Sequence, residues 1–409
     1  MLPLGSVLDH VLLHQATIDA LASDGGDNRL MQVPSSILYG GRRGTPPALI
    51  AATAAVTLLF VATPFLITPL SQRYGISEGF AGSISVAQVG AFAVANFLFP
   101  RLLRPSGKLL RLAAVALVAL NVLSVLAGEY ALLLLLRMLA GAAAGTMTWL
   151  TWSNAMRRRR AMSSIAATGP MTALFATPLI AVVAGWGGDQ AVYAFLAIAA
   201  LPAAVLWAPV GGRRRTRRVI SGSRSNRILL ASLFCLTFFG SAMFINLTIV
   251  AREIHGLSPF AASIAFSFNA AGALLGARLS TRHRRPGWFL ASIGPAALCT
   301  AIGPAWLFYV GMTWWGFAFW MGIPGVLQML VDRSLEPSER AGDGQGVLAL
   351  GRAAGPALGG ALVDGGALIA LAIMSAMGSV VSGLTVVGVK EGRDRLPPTD
   401  RRTIDQQDE

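Results

Sequence analysis

About twelve apolar stretches, each long enough to cross a lipid bilayer, follow one another from Ala48 to Val389. A hydrocarbon core about 30 Å thick needs roughly 20 apolar residues in a helix that rises about 1.5 Å per residue. Only helices and closed barrels satisfy their own backbone polar groups there, and these stretches lack the two-residue alternation of barrel strands. The sequence therefore predicts an all-α integral membrane protein, with spans at 48–70, 80–100, 109–127, 131–154, 163–185, 191–210, 228–251, 260–278, 287–305, 308–331, 345–363 and 367–389.

The composition excludes a water-soluble domain and several classes of function. Of the 409 residues, 54% are hydrophobic and only 13% are charged, whereas a soluble domain carries about 25% charged residues. The net charge of +14 would suggest a nucleic-acid partner in a soluble protein, but here the basic residues lie between spans, where they meet anionic headgroups. Cys235 and Cys299 lie inside apolar runs, so neither a disulfide nor a metal site is indicated. Without a phosphate-binding glycine motif or a recognisable triad, we expect no nucleic acid, no cofactor and no enzyme activity.

Lysine and arginine are concentrated in alternate connections, and this asymmetry predicts the topology. Basic residues are retained on the cytoplasmic side during insertion, so the richer set of connections is predicted to face inward. With an even number of spans, both termini are then cytoplasmic, in a multi-pass protein of the cell membrane. The basic residues of the inward set lie at 101–111, 157–160, 213–227 and 282–285.

The second half of the chain weakly repeats the first. Tyr74-Gly75-Ile76-Ser77 recurs as His255-Gly256-Leu257-Ser258, and Arg104-Pro105 recurs as Arg285-Pro286, each about half a chain later. Chance similarity between apolar helices is the alternative, but the agreement of the loop segments favours duplication. Two pseudo-symmetric six-helix bundles are therefore predicted, with a binding site where they meet. The predicted domains are a cytoplasmic extension (1–46), two bundles (47–211 and 228–389), a basic linker (212–227) and a charged tail (390–409).

Six plus six helices joined by a basic linker resemble the major facilitator superfamily of secondary transporters. Arg137, followed by Gly141 and small residues, is similar to a motif of the fourth span in that family. In the eleventh span, Gly355-Pro356-Ala357-Leu358-Gly359-Gly360 is similar to a signature of efflux-type members. That signature normally sits in the fifth span, where this chain has only Thr177-Pro178-Leu179. The chain also has Arg104 where the family usually has an acidic residue that helps to latch the two halves. The resemblance implies alternating access and leans toward efflux.

Two arginines inside predicted spans are candidates for substrate binding or coupling. A charged side chain within a span costs roughly 2.5–3.5 kcal/mol on insertion scales, so it normally faces a polar interior. Arg137 shares a helical stripe with Gly141 and Gly145, and we predict that it faces the central cavity. The alternative is a structural arginine that donates to carbonyls or reaches toward the headgroups. Arg352 has the same two interpretations and shares a face with Gln345, Gly355 and Gly359.

Other candidates are polar or aromatic residues near the middle of spans. Gln88, Asn246 and Asn269 could each bind substrate, or equally could bond a neighbouring helix. Trp320 is a candidate for the lining of a pocket, whereas Trp315 lies near a span end, where tryptophan commonly anchors at the interface. For gating or close helix packing we single out Pro64, which should bend the first span, together with Gly141, Gly145, Pro178, Gly355, Pro356, Gly359 and Gly360.

No aspartate or glutamate falls inside a predicted span, so proton coupling cannot be assigned to a particular residue. Glu78 or Glu253, at outer span ends, could serve this purpose if the extracellular vestibule encloses them. We predict a monomeric secondary transporter in the lipid bilayer that moves a small organic solute, with protons as the coupling ion for efflux. One alternative is a facilitator or importer of sugar-like or anionic solutes, and another is a membrane protein of this fold that serves as a non-transporting accessory.

Overall fold

The computed structural model of the chain describes residues 45–155, 159–210, 224–279, 285–332 and 337–391. These ranges form fourteen α-helices and contain no β-strand, which confirms the all-α prediction. The predicted extension (1–46), linker (212–227) and tail (390–409) lie mostly outside the described residues. The helices are α1 (Pro47–Val61), α2 (Thr63–Tyr74), α3 (Glu78–Ala81), α4 (Ser83–Leu102), α5 (Gly107–Val125), α6 (Tyr130–Ala155), α7 (Arg159–Val205), α8 (Arg224–Phe244), α9 (Leu247–His255), α10 (Pro259–Leu279), α11 (Pro286–Cys299), α12 (Ala305–Asp332), α13 (Pro337–Asp364) and α14 (Leu368–Glu391).

Most of the predicted spans correspond to a single helix, and the exceptions are of two kinds. The first, second and seventh spans are the pairs α1–α2, α3–α4 and α8–α9, while α7 holds both the fifth and the sixth. The chain turns within α7 at Gly187 and Gly188, whose backbone angles are not helical. By length and composition, eight described helices are suited to cross a membrane, or nine if the bent pair α1–α2 is one span. The count of twelve therefore remains a prediction, since α11 has only 14 residues and α12 is not among those eight or nine.

The first and seventh spans are both interrupted part-way along. α1 and α2 meet at Ala62 with a bend of 49°. Pro64, in the first turn of α2, has no N–H to donate to the carbonyl of Phe60, so the helix bends where Pro64 predicts. The break between α8 and α9 falls at Asn246. Interrupted helices at corresponding positions in two halves favour a binding site between those halves.

Backbone geometry supports the duplication inferred from the loops. Gly75 ends α2 and Gly256 ends α9, and both have a φ of 63°. Gly188 and Gly366, which follow the fifth and eleventh spans, have φ values of 61° and 69°. Glycine adopts this left-handed conformation without the steric cost that other residues meet. The chain therefore turns in the same way at the same two places in each half.

The two halves meet along two seams. In the first, Gly360 of α13 lies against the backbone of Gly79 in α3, so closely that an added Cβ would clash. In the second, the hydroxyl oxygens of Thr177 in α7 and Ser267 in α10 are 2.7 Å apart, and Ser267 also donates to the carbonyl of Leu174 at 2.8 Å. Small and hydroxyl-bearing side chains let the helices of the two halves approach closely.

Candidate functional site

An aromatic layer joins the two halves close to the helix breaks. The ring of Phe65 in α2 lies 5.3 Å from Phe266 in α10, which lies 5.3 Å from Phe244 in α8. Phe244 in turn contacts Trp315 in α12 at 5.9 Å. Trp315 is only 6% exposed, so the expectation of an interfacial anchor is wrong: its ring packs inside the bundle against Phe244. We refer to Phe65, Phe244, Phe266 and Trp315 as the aromatic layer.

Charged side chains bond the two halves beyond this layer. We call the end of the bundle with the connections at 75–77, 126–129, 256–258 and 300–304 the outer end, because the predicted topology turns it away from the cytoplasm. There Arg252 of α9 donates to both carboxylate oxygens of Glu78 in α3, at 2.9 and 2.8 Å. Thr68 of α2 donates to the same carboxylate at 2.6 Å and accepts from Arg252 at 3.0 Å. Such a bidentate pair is both stronger and more directional than a single hydrogen bond.

The hydrogen bond with Glu78 also raises the pKa of the Arg252 guanidinium. Arg252 therefore stays charged over the physiological pH range. It has a second partner, Glu253, at 2.8 Å, but that residue belongs to the same half. Of these two carboxylates, only Glu78 links the halves.

Three further hydrogen bonds cross between the halves on this side of the aromatic layer. Asp364, the last residue of α13, accepts from the hydroxyl of Ser77 at 2.7 Å and from the backbone N–H of Gly79 at 2.8 Å. Thr248 of α9 donates to the carbonyl of Pro64 at 2.8 Å. We refer to the Glu78–Arg252 pair, the Asp364 bonds and the Thr248 bond as the outer latch. The sequence places Glu78 at an outer span end but gives no sign of its partner Arg252.

Arg137 lies inside the first half and is not exposed at all. Its guanidinium donates to Asn121 Oδ1 and to the carbonyl of Leu120, both at 2.9 Å, and to the hydroxyl of Ser124. The ring of Tyr193 covers it at 4.7 Å. This geometry favours the structural interpretation of Arg137, because neighbouring spans of its own half enclose it and accept from both terminal nitrogens, while its buried Nε has no hydrogen-bond partner among the described residues.

Arg352 has different surroundings. Its side chain is exposed, and its guanidinium lies 5.5 Å from the ring centroid of Phe319 in α12. Gln345, two turns earlier on α13, is exposed on the same side. The sequence groups Arg352 with Gly355 and Gly359 on one face of the helix. In the structure the two glycines lie against the backbone of α8, whereas the side chain of Arg352 is exposed.

The three polar mid-span residues all bond helices. Gln88 donates to the carbonyl of Leu59 at 3.3 Å, and Asn269 donates to the carbonyl of Met312 at 2.8 Å. Asn246 donates to the carbonyl of Ala242, four residues earlier, at 2.8 Å. The buried Oδ1 of Asn246, however, has no hydrogen-bond partner among the described residues. Asn246 therefore carries a buried acceptor without a partner at the break of the seventh span.

Most of the predicted gating and packing residues make close backbone contacts. Gly141 and Gly145 of α6 lie against the backbone of α4, and an added Cβ at either would clash. Gly355, Gly359 and Gly360 do the same against α8 and α3. Pro356 is buried, whereas Pro178 and Trp320 are half-buried. Among the described residues, no group of three or more metal-ligating side chains comes together.

Comparison with known proteins places this geometry in a family. The family model described as Major Facilitator Superfamily matches residues 48–360, while a comparison with curated proteins finds no match. The fold is similar to that of the human organic anion transporter MFSD10 (TETRAN), with a TM-score of 0.60 and 16% identity over 83% of this chain and 97% of that chain. It is also similar to a bacterial homolog of the human lysosomal transporter Spinster, in an inward-facing and occupied conformation, with a TM-score of 0.60 and 15% identity over 83% and 94% of the two chains. The chain therefore belongs to the major facilitator superfamily.

Proposed function

We propose that this chain is a secondary transporter that moves a small organic solute by alternating access. The observation that carries the proposal is the outer latch, which bonds one half to the other through Glu78, Arg252, Asp364 and Thr248. In alternating access, two halves rock around a central site and open it to one side of the membrane at a time. A structure latched at the outer end corresponds to a carrier that is closed to the outside.

The helix breaks and the aromatic layer lie where such a carrier would hold its solute. Pro64 and Asn246 mark the breaks in the first and seventh spans. Phe65 directly follows Pro64 in the chain, and Phe244 lies two residues before Asn246. The free Oδ1 of Asn246 would accept a hydrogen bond from a solute or a water molecule. The solute site is therefore proposed beside the aromatic layer, on the side away from the outer latch.

We further propose that transport is proton-linked efflux. The residues 355–360 resemble an efflux signature, although here they serve to pack α13 closely against its neighbours. Because the predicted spans contain no carboxylate, the group proposed to respond to protons is Glu78 in the outer latch. Protonating Glu78 would remove the charge that Arg252 pairs with, and this would favour opening toward the outside.

The test is counterflow in proteoliposomes that contain the purified full-length chain, with a panel of labelled anionic, neutral and cationic aromatic compounds. Counterflow without any gradient is expected for a carrier, and an imposed pH gradient should accelerate net movement. Glu78→Gln should retain counterflow but lose the response to the pH gradient. Counterflow that ignores the pH gradient would exclude proton linkage and leave a facilitator. A lack of counterflow for every compound, together with stable co-purification of a partner, would favour the accessory role.

A facilitator or importer of anionic solutes is the second candidate. It is favoured by the exposed Arg352 and by the lack of carboxylates within the predicted spans. The fold is also similar to that of a protein described as an organic anion transporter. Uptake of an anion down its own gradient, at equal rates with and without a pH gradient, would favour this candidate over efflux.

A further inference from the structure

We propose that Arg352 and Phe319 form a subsite for the anionic group of an amphipathic organic anion, a role that rests on the proposed transport function. The guanidinium of Arg352 lies over the Phe319 ring, 5.5 Å from its centroid. Phe319 follows Trp315 of the aromatic layer by one helical turn, toward the end of α12 that is farther from the outer latch. The subsite would therefore lie on the inner side of the aromatic layer.

The packing of α13 shows which way Arg352 points. Gly351 and Gly355 lie against the backbone of α8, and Gly360 lies against Gly79 of the other half. Arg352 occupies the arc of the helix between these two contact faces. Leu350, which is 53% exposed, lies about 160° away around the helix, on the opposite arc. An apolar side chain suits the lipid, whereas a guanidinium facing hydrocarbon would cost roughly 2.5–3.5 kcal/mol. The arc of Arg352 is therefore assigned to the space between the halves.

The depth of Arg352 argues against a side chain that reaches for the inner headgroups. Arg352 lies eight residues beyond Gly344, which corresponds to about 12 Å of helix rise. Gly344 contacts Leu327 and Leu330 of α12, and Phe319 lies two turns farther toward the outer end of that helix. Because α12 and α13 run antiparallel, Arg352 and Phe319 lie at similar depths. The guanidinium therefore lies at the same depth in the bundle as the backbone of Arg352 and does not extend toward the inner headgroups.

The chemistry of this group suits an organic anion with a flat apolar body. A guanidinium is planar and offers a fork of donors that matches a carboxylate, sulfonate or phosphate. Among the described residues, Arg352 has no hydrogen bond or ion pair within the protein, so those donors remain available. The half-buried rings of Phe234 and Phe238 stack 5.7 Å apart along α8. They lie at the same depth as Arg352, because the backbone of both contacts Gly351.

The experiment measures the binding of a matched ligand set to the purified full-length protein in lipid nanodiscs, with empty nanodiscs as the blank. The probes are 2-naphthoate, the neutral 2-naphthalenemethanol and the cationic 2-naphthylmethylammonium. Wild-type protein is expected to bind the anion about tenfold more tightly than the alcohol, the factor that one charge-assisted hydrogen bond can supply. Arg352→Gln should abolish this preference and leave the affinity for the alcohol within about twofold. Arg278→Gln, which removes an exposed arginine from the inner end of α10, is the control and should keep the preference.

Two further variants keep the test decisive if Arg352→Gln does not fold. Gln345→Glu places a carboxylate two turns along the same exposed side and should weaken naphthoate binding about threefold. Phe319→Leu removes the ring beneath the guanidinium. This substitution should lower the affinity for naphthoate more than the affinity for the alcohol. These changes act on the ratio between two ligands, which a general loss of structure would not alter selectively.

Several outcomes would overturn the subsite. They are equal loss of anion and alcohol in Arg352→Gln, a wild-type preference for the cation, no binding of naphthoate by wild type, and an equal effect of Arg278→Gln. Failure of the proposed transport function looks different. In that case naphthoate binding would depend on Arg352, yet no compound would show counterflow in proteoliposomes.

Discussion

Arg137 and Arg352 are both arginines within apolar helices, but their neighbours give them different roles. Arg137 is fully buried, and its two terminal nitrogens donate to Asn121, Leu120 and Ser124 of α5. Arg352 is exposed, its guanidinium lies over the face of Phe319, and it has no hydrogen bond or ion pair among the described residues. The first arginine bonds two helices of one half together, and the second is the one proposed to bind a ligand. Changes at the two positions should therefore affect different properties.

Arg137→Met is expected to lower the free energy of unfolding by about 1–3 kcal/mol, because Asn121 Oδ1 would lose its donor inside the bundle. Arg352→Gln is the matched control and should change that free energy by less than about 0.5 kcal/mol, as an exposed substitution usually does. Thermal and denaturant unfolding of the purified variants in detergent would measure both values. Wild-type stability in Arg137→Met, with impaired solute binding, would instead support the substrate role first predicted for this residue.

At the scale of the helix, α13 carries small residues on two sides. Gly351, Gly355 and Gly359 press against α8 of the same half, while Gly360 presses against Gly79 of the other half. The helix thus belongs to the interior of the second half and also to the seam between the halves. Its glycines allow both approaches, since no Cβ separates the backbones.

Gly355→Ala is expected to destabilise the protein by about 1–3 kcal/mol, because the new methyl group would overlap the backbone carbonyl of Phe238. Ala361→Val, which adds more volume at an exposed position of the same helix, is the control and should be tolerated. Unfolding midpoints and the yield of monodisperse protein in detergent are suitable measurements. Equal effects of the two substitutions would show that α13 does not pack on α8 through Gly355.

At the scale of the whole molecule, the outer latch bonds one half to the other, which the proposed function treats as one of two arrangements of the halves. Glu78 and Arg252 come from different halves, and Asp364 reaches from α13 to Ser77 and Gly79 of the first half. The aromatic layer lies next to these bonds, through Phe65 and Phe266. Opening to the outside requires the polar bonds to break and the rings to separate. The energy of the latch therefore contributes to the balance between the two arrangements.

Glu78→Gln is expected to increase the population that is open to the outside about twofold to fivefold, the range for a partly exposed ion pair. Spin labels at Glu129→Cys and Ile302→Cys, in a chain with Cys235 and Cys299 changed to alanine, would report the distance across the outer end. Both label positions are exposed, and they lie in different halves.

Glu253→Gln is the control for this measurement, because Glu253 pairs with Arg252 within one half and bridges nothing. The exchange Glu78→Arg with Arg252→Glu should restore the wild-type distance distribution. A distribution that Glu78→Gln leaves unchanged would show that the ion pair does not hold the outer end closed.

The topology of the whole chain gives a separate prediction. Glu129 lies in a connection with few basic residues, whereas Lys108 lies in the first turn of α5, beside one of the basic connections. Because basic connections are retained in the cytoplasm, a membrane-impermeant maleimide should label Glu129→Cys in intact cells but should label Lys108→Cys only after permeabilisation. The reverse labelling pattern would invert the membrane orientation, and the outer latch would then face the cytoplasm.

Several local features of the structure follow directly from the sequence. Apolar run length and composition predict the helices, Pro64 predicts the bend in the first span, and the repeated segments at Gly75 and Gly256 predict matching turns in the two halves. Each of these depends on a property of the residues themselves, such as hydropathy, the missing N–H of proline or the left-handed backbone of glycine. Such properties hold whichever helices become neighbours.

The partners of each side chain were decided only by the tertiary structure. Helical spacing put Arg137 on a possible cavity face, yet Asn121 and Tyr193 enclose it. Spacing also grouped Arg352 with Gly355, although the two face different surroundings. The sequence by itself thus determined a duplicated set of membrane helices, since those follow from local chemistry. The latch, the aromatic layer and the free arginine depend on which faces of distant helices meet, and packing alone sets that.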